Sequence, residues 1–164
     1  MIVVSDTTPL ISLMKAGQLD LLEKLYQEIL IPKAVYNELT SSTAFQNEAN
    51  AITHSHFIKV VEVKERLAVD VLQRATGLDI GESEAIVYAE AVKADSLLMD
   101  ETAGRRVAKS LGIHIVGTVG ILLGGFDEGY LSADDIEAAV DALQKTKRWI
   151  SNDLIDHIRQ YIRR

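Results

Sequence analysis

Short apolar runs alternate along this chain with stretches whose apolar residues recur at helical spacing. The first run, Ile2-Val3-Val4-Ser5, reads as a buried strand. Thr7-Thr8-Pro9 then starts a helix, because Thr is favoured as a cap and Pro in the first turn. Leu10, Leu13 and Met14 keep the helical spacing until Gly17 stops it. Residues 19–26 predict a second helix, with Leu21, Leu22 and Leu25 as its stripe. Residues 28–31 form a strand closed by Pro32, and Val35 and Leu39 belong to the helix that follows. Residues 41–55 are polar and alanine-containing, which predicts a surface helix with loops. Residues 57–63 have strand character, with a sheet edge as their expected place.

The second half repeats the alternation. Residues 65–75 are helical by composition, and Gly77 interrupts them. A stronger helix covers 81–93, with Ala85, Ile86, Ala89 and Val92 on one face. Ser96-Leu97-Leu98-Met99 is another buried strand, 103–111 a helix and 113–116 a strand. Gly117-Thr118 leads into a helix through Val119 and Leu123. Ser132 caps a helix that reaches Lys145, and Ser151 caps the last one. Strands alternating with helices predict an α/β fold, a three-layer α/β/α sandwich with a mainly parallel central sheet. No repeat or linker divides the chain, so residues 1–164 are expected to form a single domain with a basic helical segment from about 144.

In two of the buried runs an aspartate stands where the apolar residues stop: Asp6 after the first, Asp100 after Ser96-Leu97-Leu98-Met99. In a parallel sheet the crevice outside the carboxyl ends of the strands is the usual ligand site. Glu38, on the helix after the second strand, and Glu82, which follows Gly81 at a helix start, are further candidates. Taken singly, each has an ordinary reading: Asp6 and Asp100 as caps, Glu38 as a solvated residue, Glu82 as a charge suited to a helix N-terminus. Together they point to a divalent cation, because gathered carboxylates repel one another unless protonated or bridged by an ion. Such hard oxygen ligands suit Mg²⁺ or Mn²⁺. A divalent ion of that kind serves phosphodiester chemistry without cysteine, serine or histidine.

Composition narrows the alternatives. Hydrophobic residues make up 48% and charged residues 25%, ordinary for a globular chain. There is no cysteine, which rules out disulfides and thiolate sites and fits a cytoplasmic protein. No apolar stretch approaches the ~20 residues of a membrane span, and no basic-then-apolar leader opens the chain. Net charge is −7, yet Lys145, Lys147, Arg148, Arg159, Arg163 and Arg164 against Asp153 and Asp156 make residues 144–164 +4 and leave −11 for the rest. That basic end could meet phosphates, or its cations could simply suit the end of a terminal helix. His54 and His56 lack a third spaced ligand for zinc, and neither a Gly-x-x-x-x-Gly-Lys loop nor a Gly-x-Ser-x-Gly elbow is present. Thr8 stands where an aspartyl-phosphate enzyme would place its second acid. Arg105 or Arg106 could hold a substrate phosphate. Trp149 and Tyr161 could stack on bases or simply pack.

With those residues assembled, the chain resembles the PIN-domain superfamily of metal-dependent ribonucleases, in its VapC-like branch. Val4-Ser5-Asp6-Thr7-Thr8-Pro9 is similar to that family's first motif, with Asp6 as metal ligand and Thr7 in support. Ile31-Pro32-Lys33-Ala34-Val35-Tyr36-Asn37-Glu38 resembles the second, Leu78-Asp79-Ile80-Gly81-Glu82-Ser83-Glu84 the third, and Leu97-Leu98-Met99-Asp100-Glu101 with Gly104-Arg105 the fourth. In the third motif Glu82 and Glu84 compete; Glu82 follows the glycine, and Glu84 lies about 200° round the helix from it. In the fourth, Asp100 and Glu101 stand adjacent, and either could be the ligand. The resemblance implies an acidic pocket with Mg²⁺ or Mn²⁺, cleavage of RNA, a toxin role countered by an antitoxin protein, and a homodimer. The competing reading is a degenerate PIN-like module that binds a partner protein or RNA without cutting.

Overall fold

The computed structural model describes residues 1–41, 46–146 and 150–163. Among these, β1 (Val3–Ser5), β2 (Ile29–Pro32), β3 (Ile58–Val61), β4 (Ser96–Leu98) and β5 (Ile115–Val116) form one parallel sheet in the order β3-β2-β1-β4-β5. The helices are α1 (Thr7–Lys15), α2 (Leu21–Tyr26), α3 (Lys33–Ser41), α4 (Gln46–His54), α5 (Arg66–Thr76), α6 (Ile80–Ala91), α7 (Thr102–Ser110), α8 (Thr118–Asp127), α9 (Ala133–Lys145) and α10 (Asn152–Ile162). The result is the three-layer α/β/α sandwich that the alternation predicts.

The inner strands β1, β2 and β4 are buried and mostly apolar because both faces are covered, whereas edge strand β3 exposes Lys59 and Val60. Successive side chains point to opposite faces, and the two cores divide accordingly. Val3, Ile29, Ile31 and Leu98 join the core built with α1, α2, α8, α9 and α10. Val4, Leu97 and Met99 join the core under α6 and α7. The β1–β4 register pairs Val3 with Ser96, Val4 with Leu97 and Ser5 with Leu98, so Asp6 ends level with Met99, and Asp100 lies one residue further on.

The segment expected at an edge, residues 57–63, contributes β3 at the sheet edge, paired through four residues with β2. Gly77 ends α5 in the left-handed conformation at φ 75°, which glycine adopts without penalty. The expected surface helix within 41–55 is α4, but it is less superficial than its polar composition implies. Ile52 is buried, and so is Glu48, whose carboxylate meets the Lys15 ammonium at 2.7 Å. At the other end, Arg159 pairs with Glu137 across α9 and α10, and Tyr161 donates to Asp127 and meets the Phe126 ring edge-on. Lys147, Arg148, Trp149 and Arg164 lie outside the described residues.

Candidate active site

From β1 the chain travels outward to β2 and β3, then crosses through α5 and α6 to β4 on the opposite side of β1. That reversal leaves a crevice at the carboxyl ends of β1 and β4. Asp6 stands there. Its amide donates to the Leu98 carbonyl at 2.9 Å, and it occupies the N-cap position of α1 in an extended conformation. The side chain nevertheless makes no capping hydrogen bond, so the helix start does not account for it. It is 3% exposed. Burial is the main cause that pushes its carboxyl up from 3.8 to about 7. The Thr7 amide opposes the rise, while the negative charges of Glu82, Asp79 and Glu38 add to it.

Glu38 and Glu82 are brought to Asp6 by two different helices. The Thr7 hydroxyl donates to Glu38 Oε2 at 2.7 Å and ties α3 to the end of β1. Gly81 lets that carboxylate approach the first turn of α6: a Cβ there would sit 3.3 Å from Glu38 Oε2. Glu82 forms a capping box with Asp79. The Glu82 amide donates to Asp79 Oδ1 at 2.7 Å, and the Asp79 amide donates to Glu82 Oε2 at 3.1 Å. The ordinary helix-terminus role is therefore real for Glu82. Its carboxyl is also raised, by burial first and then by Asp79, Glu101 and Glu38, against the pull of the Asp79 amide. Asp79 is not among the acids that the sequence singles out, although Asp-x-x-Glu ahead of an apolar stretch is a legible capping signal.

The two competing pairs separate by position. Glu84 is 4% exposed and engaged elsewhere: Oε1 accepts from the Ala34 amide at 3.0 Å and Oε2 meets Arg66 at 2.7 Å. It joins α6 to the starts of α3 and α5. Asp100 accepts from the Thr118 amide at 2.7 Å and from the Thr118 hydroxyl at 2.6 Å, so it anchors the first turn of α8. Arg105 donates to the Met99 carbonyl at 2.9 Å behind it. Glu101 is near enough to raise Glu82.

A family model described as PIN domain matches residues 2–164. The chain belongs to the PIN-domain family. No curated protein matches it. PIN domains are in general nucleases, hydrolases that act on RNA and typically use divalent metal ions such as Mg²⁺.

The donor set of this PIN domain suits such an ion. Asp6 is buried among acids whose repulsion a cation relieves, and every candidate ligand is a hard oxygen. As the side chains stand, no three His, Asp or Glu residues among those described converge tightly enough to hold an ion. Glu38 is held by Thr7, Glu82 by Asp79 and Asp100 by Thr118, so a shared ion would require some of them to turn inward. The histidines are elsewhere: His54 bonds the Asn50 carbonyl and His56 bonds Glu23. Among the described residues no helix of the PIN domain is long and apolar enough to cross a membrane.

Proposed function

We propose that this PIN domain is a Mg²⁺- or Mn²⁺-dependent endoribonuclease of the VapC-like branch. The observation that carries the reading is Asp6, a buried carboxyl at the sheet's switch point surrounded by Glu82, Asp79 and Glu38. Asp6, Glu38 and Glu82 would hold the ion, with Asp100 completing the set and Glu101 in support. When bound, a divalent ion neutralises these acids, polarises a phosphoryl oxygen and makes water more acidic. The chain's own contribution is positional. Thr7 orients Glu38, the Asp79–Glu82 box steadies the first turn of α6, and Arg105 is suited to a substrate phosphate. As a toxin, the protein would act in the cytoplasm as a homodimer and be countered by an antitoxin protein.

Asp6→Asn is expected to reduce cleavage of a total-RNA pool in Mn²⁺ by at least a hundredfold, on the order of 3 kcal/mol in the barrier, and to abolish growth inhibition on expression. Cleavage undiminished in the variant, or unaffected by chelator, would sink the reading.

One observation favours a second reading, the partner-binding module without cleavage: the carboxylates of Glu38, Glu82 and Asp100 are each engaged within the protein. It predicts wild-type protein that cuts no RNA pool in either ion yet binds a partner tightly.

A further inference from the structure

Beside the carboxylates, between α1, β5, α8 and the α9–α10 end of the molecule, lies a cleft of about 760 Å³. Its size falls within the roughly 300–1,000 Å³ of small-molecule sites. Asp100, Glu101 and Arg105 form the wall nearest the acids, and Val119, Leu143 and Leu154 form an apolar wall. The hydroxyl residues Thr8 and Ser12 of α1 line it as well.

Ser12 is the informative one. It is 4% exposed, and among the described residues its hydroxyl has no hydrogen-bond partner. A helical Ser or Thr commonly bonds the carbonyl four residues back, as Thr40 and Thr53 do here. Ser12 does not, and it lines the cleft instead. Its hydroxyl is left open to the cleft, where a ligand or water can meet it.

We propose that this cleft is a nucleotide subsite that takes the base and phosphate of the RNA residue beside the scissile bond. The base lays its flat faces against the apolar wall and its polar edge toward Ser12 and Thr8. Arg105, with one N–H on the Met99 carbonyl, offers the remaining guanidinium donors to the phosphate. The substrate class rests on the nuclease reading, but mononucleotide binding is measured without cleavage.

The test is amide chemical-shift titration of the full chain in Mg²⁺ with AMP, GMP, CMP and UMP, with the nucleosides and inorganic phosphate as separate arms. Shifts are expected at Ser12, Gly117 and Val119, with at least a tenfold spread in affinity among the four bases. Ser12→Leu, which fills the cleft, should weaken binding at least tenfold, and Ser12→Ala should narrow the spread among bases. Cleft amides silent to every mononucleotide would overturn the subsite and leave the cleft to a protein segment. Equal affinity for phosphate alone, or shifts gathered at Lys33 and Asn37 instead, would overturn it too. A chain that cuts RNA with a silent cleft keeps the nuclease reading and loses the subsite; one that binds mononucleotides here but never cuts does the reverse.

Discussion

Asp6 and Asp100 are the same residue type at the same edge of the same sheet, yet their surroundings are opposite. Asp6 faces acids and is pushed up to about 7 by its burial and by them. Asp100 faces donors, the amide and hydroxyl of Thr118, which satisfy its charge locally and hold α8 in place. A carboxylate at a strand end is therefore not a site by itself. The neighbours decide whether it stores repulsion that a cation can relieve or commits its charge to a helix start.

The largest expected effect comes from the pH dependence of the metal-free protein. Unfolded, Asp6 ionises near 3.8; folded, near 7. Well below pH 3.8 both states hold the proton and nothing is lost. As pH rises from there toward 7, the unfolded state releases a proton that the native state keeps, so stability falls, and above 7 the loss is constant. A rise from 3.8 to about 7 corresponds to on the order of 4 kcal/mol. Asp6→Asn should recover up to that much at pH 8 and far less at pH 4, read from denaturant midpoints. A gain equal at both pH values would deny the difference between the two aspartates.

Next in size is the ion itself. Mn²⁺ at a hundred times its dissociation constant should stabilise the wild type by about 2.7 kcal/mol and leave Asp6→Asn unmoved; a shared melting shift would place the ion elsewhere. Asp100→Ala should cost ~1–2 kcal/mol without any metal, because the Thr118 amide and hydroxyl lose their acceptor. No loss in chelator would make Asp100 a ligand with no structural role. The smallest effect is expected of Thr7→Val, ~1 kcal/mol or less, visible mainly as a changed Mn²⁺ requirement because Glu38 loses its donor.

Much of this is legible in the chain alone. The alternating runs yield every strand, because period and turn residues are local properties. The edge expected as the place of residues 57–63 is where β3 lies. The acids are legible as candidates because each stands beside a glycine, at the end of an apolar run or on the helix that follows one. Less legible is the burial of Glu48 in a polar helix, which depends on the distant cation of Lys15. Asp79 escapes notice because its cap role is local while its proximity to Asp6 is not.

The chain by itself determined the order of elements, the covered parallel sheet and the acids at its carboxyl edge, since these follow from short-range spacing and from the need to bury apolar strands on both faces. Only the tertiary structure decided which acids meet. The sheet register sets Asp6 level with Met99, and the alternation of the pleat sends Asp6 after Val4 toward α6 but Asp100 after Leu98 toward α8. The rotation of α6 likewise leaves Glu82 beside Asp6 and gives Glu84 to Arg66. A one-residue change of parity or about 200° around a helix is invisible in composition, yet it separates a carboxyl that repels its neighbours from one already bonded to donors.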